Sequence, residues 1–120
     1  MIGQEVGRGL HVRALFAERQ DGVLTLRRGF TISETDRVLV VEDVLTTGGS
    51  TRETIQVAVA AGGHVVAAGS IVDRSGGAAR FDVPFETLLD VSFPTYQPDA
   101  CPLCAQGLPV VKPGSRVMSI

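Results

Sequence analysis

Residues 38–51 read Val38-Leu39-Val40-Val41-Glu42-Asp43-Val44-Leu45-Thr46-Thr47-Gly48-Gly49-Ser50-Thr51. Residues 37–42 are the predicted strand, and their apolar residues, 38–41, run without alternation up to the acids, which predicts burial on both faces. The strand delivers two carboxylates, Glu42 and Asp43, to its carboxyl end. A turn rich in glycine and hydroxyls follows, and residues 52–61 are the predicted helix, stopped by Gly62-Gly63. The first turn of a helix carries unpaired N–H groups and the positive end of its dipole, which suits phosphate. Glycines let the backbone approach an anion closely, and hydroxyls add donors. The two carboxylates do not suit phosphate; they suit hydroxyls or a cation. Together the pieces describe a site for a phosphorylated sugar. The alternative is a strand, an acidic turn and a capped helix with no ligand.

Outward from this stretch, residues 4–10 read as the end of a helix with Gly9 near its stop. Residues 14–17 read as a short apolar strand, 18–30 as a polar loop or hairpin, and 33–36 as a turn. Residues 65–72 are the next buried strand, ending at Asp73-Arg74; 75–79 are a turn, and 85–91 another strand. Strand, helix and strand of these lengths predict a right-handed parallel crossover, hence an α/β fold. Ligands in such sheets gather at the carboxyl ends of strands. Glu42-Asp43, Asp73-Arg74 and Ala17-Glu18-Arg19 are all expected at those ends. His64 opens a strand after two glycines and reads as structural.

The 120 residues fit one domain, and 44% apolar residues can supply a core. A net charge of −2 and the lack of a basic tract argue against nucleic-acid binding by bulk electrostatics. The uncharged stretch 54–72 approaches a membrane span in length, but Gln56 and Gly62-Gly63-His64 divide it into a helix and a strand. No cationic and then apolar leader is visible, so a cytoplasmic protein is expected. Cys101-Pro102-Leu103-Cys104 has half the spacing of a zinc ribbon. His11 and His64 are remote in sequence, so a reduced pair or facultative disulfide is the first reading, with thiolates pooled from two chains the minor one.

The run VLVVEDVLTTGGST resembles the phosphoribosyl pyrophosphate motif of the type I phosphoribosyltransferases. It is not the ATP P-loop, because no GxxxxGK[ST] is present. Beyond the motif the chain resembles the orotate phosphoribosyltransferases, through FAERQDGVLTLRRGF at 16–30, VLVVEDVLTTGGSTRE at 38–53, IVDRSGG at 71–77, and PTYQPDACPLCAQGLPVVKPGSR at 94–116. The resemblance implies a parallel-sheet α/β core at residues 1–93, with 94–120 a tail in the hood or on the surface. It also implies a truncated member, lacking the family's first core strand with its pyrophosphate-contacting turn and the N-terminal hood, and so carrying an exposed sheet edge.

The implied reaction joins orotate and phosphoribosyl pyrophosphate, giving orotidine 5′-phosphate and pyrophosphate. Glu42 and Asp43 would hold the ribose hydroxyls. Thr46, Thr47, Gly48, Gly49, Ser50 and Thr51 would hold the 5-phosphate, and Thr46 with Arg74 the orotate. Arg74 has two plainer readings, an ion pair with Asp73 or a surface arginine. Arg19, Arg27 and Arg28 fall in the segment resembling the family's catalytic loop, where cations close over the leaving group, and with Asp43 they form the implied catalytic set. A solvated loop is the other reading of each arginine. Mg²⁺ is the implied cofactor, carried mainly by the substrate with no direct protein ligand, and a homodimer the implied assembly. The alternatives are a phosphoribosyltransferase for another base and a non-catalytic phosphosugar-binding module.

Overall fold

A computed structural model describes residues 2–26 and 29–109. Its elements run α1 (Ile2–Leu10), β1 (Ala17–Gln20), β2 (Val23–Leu26), β3 (Arg37–Leu45), α2 (Gly49–Ala60), β4 (His64–Asp73), β5 (Phe85–Asp90), a 3₁₀ turn (Pro98–Ala100) and α3 (Pro102–Ala105). The strands β3, β4 and β5 form one sheet in that order, parallel throughout. The pair β1 and β2 stands apart as an antiparallel hairpin. The expected α/β architecture and the parallel β3–α2–β4 unit are therefore present.

The core lies between α2 and the sheet. Val40, Ala58, Val65 and Ala68 are buried together, with Ile32, Val38, Ile55, Val83 and Phe85 packed against them. At Gly63 the chain passes so close that an added Cβ would lie 2.5 Å from Ile32 Cγ2 and 3.2 Å from the Ala58 carbonyl. The glycine after the helix is thus required by packing, besides ending α2.

Four expectations need correction. β3 does not end at the acids; it pairs through Glu42↔Ser70, Val44↔Val72 and Leu45↔Asp73. Backbone pairing does not stop where the apolar run stops. Nor is β3 buried on both faces, since Leu39 is 43% and Val44 42% exposed. Continuous apolar sequence marks a sheet covered on both sides, whereas here α2 carries most of the helical packing on the sheet, with α1 packed on β3. The strand expected at 14–17 lies instead at Ala17–Gln20, where polar residues pair Gln20↔Val23 around Asp21 and Gly22, both at positive φ. That is the two-residue hairpin turn the Asp-Gly pair favours. Consequently Ala17-Glu18-Arg19 lie within β1, not at the carboxyl end of a parallel strand. Finally, α2 begins at Gly49 rather than Arg52, because the glycine turn is itself the start of the helix.

Candidate functional site

The carboxyl ends of β3 and β4 lie side by side. The Arg74 amide donates to the Leu45 carbonyl at 2.7 Å, and the Val91 amide to the Asp73 carbonyl at 2.9 Å. Glu42-Asp43, the 46–51 turn and Asp73-Arg74 are thereby gathered at one edge of the sheet, as the sequence led us to expect.

Glu42 is half-buried and faces the start of α2, where the Ser50 hydroxyl comes within 3.5 Å of its Oε2. Burial, and then the neighbouring Asp43 carboxylate, raise the Glu42 carboxyl above its ordinary range. Asp43 is exposed, and its Oδ1 accepts the Val44 amide at 2.8 Å.

The turn itself is built on Gly48, which caps α2 in the left-handed region at φ 76° with no side-chain cap. The Arg52 amide donates to the Gly48 carbonyl at 2.9 Å, the first bond of the helix. Thr47 Oγ1 lies 3.4 Å from the Gly49 amide. Among the described residues the amides of Gly48, Ser50 and Thr51 find no backbone carbonyl. Thr46 and Thr47 are exposed, while Thr51 is 2% exposed and its Oγ1 has no partner among the described residues. A buried hydroxyl without a partner is unfavourable unless something satisfies it. The arrangement offers amides, hydroxyls and dipole to an anion, and two acids to the hydroxyls beside it.

Arg74 stacks its guanidinium over the Phe93 ring, 5.1 Å from the centroid. Asp73 is buried and accepts the Ser75 amide at 2.6 Å, and no ion pair joins it to Arg74 among the described residues. The ion-pair reading of Arg74 is thus not what the structure contains. A cleft of about 400 Å³ opens nearby, lined by Gly76, Gly77, Asp90, Val91 and Ser92. It lies beside the ends of β4 and β5 rather than over the 46–51 turn.

Arg19 reaches α2 from the hairpin, donating to the Gly22 carbonyl at 2.7 Å and pairing with Glu53 at 2.5 Å. Arg27 and Arg28 lie outside the described residues. Cys101 and Cys104 are free thiols. Hydrogen bonds from the Cys104 amide and thiol lower the Cys101 thiol below its ordinary value, and that partnership raises Cys104. Sequence reasoning missed Arg52, Ala79 and Phe81, which pack around Gly48. No local signal joins positions so far apart; only the positive φ of a glycine beside a second glycine hints that something must hold the turn.

No family model matches the chain. It is 58% identical to an orotate phosphoribosyltransferase of Carboxydothermus hydrogenoformans, over 97% of this chain and 61% of that protein. It is 56% identical to one of Thermotoga maritima, over 97% and 62%. The chain therefore spans about three fifths of the length of these relatives. Among solved structures, it is similar to an adenine phosphoribosyltransferase of Leishmania tarentolae with TM-score 0.58 and 22% identity, over 73% of this chain and 55% of that one. A likeness to the Leishmania donovani enzyme has TM-score 0.52, at 22% identity over 73% and 50%. These last two show the fold, that of the type I phosphoribosyltransferases.

Proposed function

We propose that the chain belongs to the orotate phosphoribosyltransferase family, whose members it matches over about three fifths of their length, and that it serves phosphoribosyl transfer from phosphoribosyl pyrophosphate to orotate. The products are orotidine 5′-phosphate and pyrophosphate, the reaction of pyrimidine synthesis. One observation carries this reading. β3 passes Glu42 and Asp43 straight into a helix-opening turn whose Thr51 hydroxyl is buried without a partner.

In this reading the amides and hydroxyls of residues 46–51 hold the 5-phosphate. Glu42 and Asp43 hold the ribose hydroxyls. Arg74, its plane fixed by Phe93, meets the orotate carboxylate with Thr46 beside it. The sugar–pyrophosphate bond breaks as the bond from sugar to orotate nitrogen forms, and negative charge grows on the departing group. Arg19, with Arg27 and Arg28, faces that charge; Arg19 must first leave Glu53. Positioning and charge neutralisation supply the rate.

Mg²⁺ belongs to the proposal. Glu42 and Asp43 offer two adjacent carboxylates, hard oxygen donors. That donor set fits an ion carried mainly by substrate oxygens. When bound, it neutralises the pyrophosphate.

The proposal includes a cytoplasmic homodimer, with residues 94–120 a tail in the hood or on the surface. No helix among the described residues is long and apolar enough to cross a membrane. The test is calorimetric titration with ribose 5-phosphate, then orotate consumption with Mg²⁺ beside the Thermotoga maritima relative. Saturable binding that Asp43→Asn weakens is expected. No binding of ribose 5-phosphate or phosphoribosyl pyrophosphate at millimolar concentration would overturn the reading.

A further inference from the structure

The 46–51 turn contains two adjacent glycines, and such a backbone flips its peptides with little resistance. A phosphate site made of amides needs those peptides fixed beforehand. The side chain of Arg52 does this. Its Nη2 donates to the Thr47 carbonyl at 2.8 Å and its Nη1 to the Arg80 carbonyl at 3.3 Å. The guanidinium lies over the Phe81 ring, 5.8 Å from the centroid, and Phe81 leans on Phe85 of β5 with centroids 5.0 Å apart. A Cβ built on Gly48 would lie 3.0 Å from Arg52 Nη1, 3.1 Å from Phe81 Cζ and 3.2 Å from Ala79 Cβ. The turn is seated against the segment 79–81.

The peptide between Thr47 and Gly48 is planar and trans, so its carbonyl and its N–H point in opposite directions. Holding the Thr47 carbonyl therefore aims the Gly48 amide away from the guanidinium. That amide finds no backbone acceptor among the described residues.

We propose that Arg52 is a positioning residue for the phosphate turn: it fixes the Thr47–Gly48 peptide and couples the turn to the 79–81 segment between β4 and β5. The proposal rests on the phosphosugar reading of the turn. Arg52 acts through the backbone and touches no substrate. The role needs the planar fork of a guanidinium, because one flat group must reach two carbonyls and cover a ring. A lysine keeps the charge and loses the fork.

The experiment uses the 120-residue chain, Arg52→Lys and Arg52→Met, each shown by circular dichroism to be folded. Ribose 5-phosphate is titrated calorimetrically, and amide hydrogen exchange is followed without ligand. Both variants are expected to bind about tenfold or more weakly, the scale of one lost hydrogen bond to a charged group. Exchange is expected to quicken together at the two amides there that have acceptors, Gly49 on Thr47 Oγ1 and Ala79 on Ser75 Oγ. Wild-type affinity in Arg52→Lys would mean that charge alone matters, and would overturn the proposal. Unchanged exchange at Ala79 would overturn the coupling. If Arg52→Met does not fold, Arg52→Lys is decisive through the same two readouts. If the parent chain does not bind ribose 5-phosphate, the functional reading fails, and the exchange result alone decides whether Arg52 holds the turn.

Discussion

Gly49→Ala separates stability from binding at the turn. Gly49 is the first residue of α2 and does not have positive φ. An added Cβ would meet only Thr47 Oγ1 at 3.5 Å, an ordinary contact. Alanine is the better helix former, by roughly 0.5–1 kcal/mol in a helix interior and less in a first turn. A gain of about 0.5 kcal/mol raises the Tm of a domain this size by about 2 °C. A phosphate oxygen bonded to the Gly49 amide would need the space that the methyl group takes. Losing one charge-assisted hydrogen bond weakens binding by about 1.5–3 kcal/mol, or roughly tenfold to a hundredfold. The substitution should therefore stabilise the protein slightly while weakening ribose 5-phosphate binding at least tenfold, read by thermal melting and calorimetry. Gly48→Ala is the contrast. At φ 76°, with three neighbours at 3.0–3.2 Å, it should destabilise by about 2–4 kcal/mol from left-handed strain plus overpacking. A Gly49→Ala protein that melts higher and binds as tightly as its parent would refute the idea that the anion sits on these amides.

Asp43→Asn should weaken phosphoribosyl pyrophosphate binding by more than about tenfold and leave the Tm nearly unchanged, because Asp43 is exposed and its hydrogen bond is to the adjacent Val44 amide; a collapsed melt with intact binding would make its role structural. Burial and Asp43 raise the Glu42 carboxyl, so the folded protein holds that proton more tightly than the unfolded chain does. Stability from this group is therefore lost as pH rises through the carboxylate range. Glu42→Gln should melt above its parent at pH 7, the gap closing below about pH 4; a gap independent of pH contradicts this. Iodoacetamide at neutral pH should modify Cys101 before the more exposed Cys104, read by peptide mass mapping; equal or reversed rates would contradict this.

The strand–turn–helix stretch was legible because each of its signals is local. Apolar continuity marked β3, paired glycines marked the turn, and Gly62-Gly63 marked the end of α2. The acids hid the last part of β3, since Glu42 and Asp43 look like a boundary to any reading based on hydropathy, yet their backbones pair with β4. The hairpin was half legible. Asp21-Gly22 announces the turn, but polar β1 strands are not apolar, and the apolar residues just before them drew the assignment three positions early. Arg74 on Phe93 and Arg52 on Phe81 were not legible. Each contact depends on how the strand ends are set in space, and neither leaves a spacing in the sequence.

Among the described residues the strand β5 is joined to the sheet on one side, through β4, and Leu88 and Leu89 are 85% and 53% exposed. The connection from β4 is a loop, not the helix that usually covers a parallel crossover. Little apolar packing beyond Phe85 therefore resists the opening of this strand, and local unfolding begins where packing is thinnest. β4, paired on both sides, should open only with the whole domain. Asp90 and the residues after it line the cleft near Arg74, so one wall of that cleft belongs to the least secured cooperative unit of the sheet. A ligand seated there gives up part of its affinity to quieting β5, and β5 in turn becomes the strand whose protection reports occupancy.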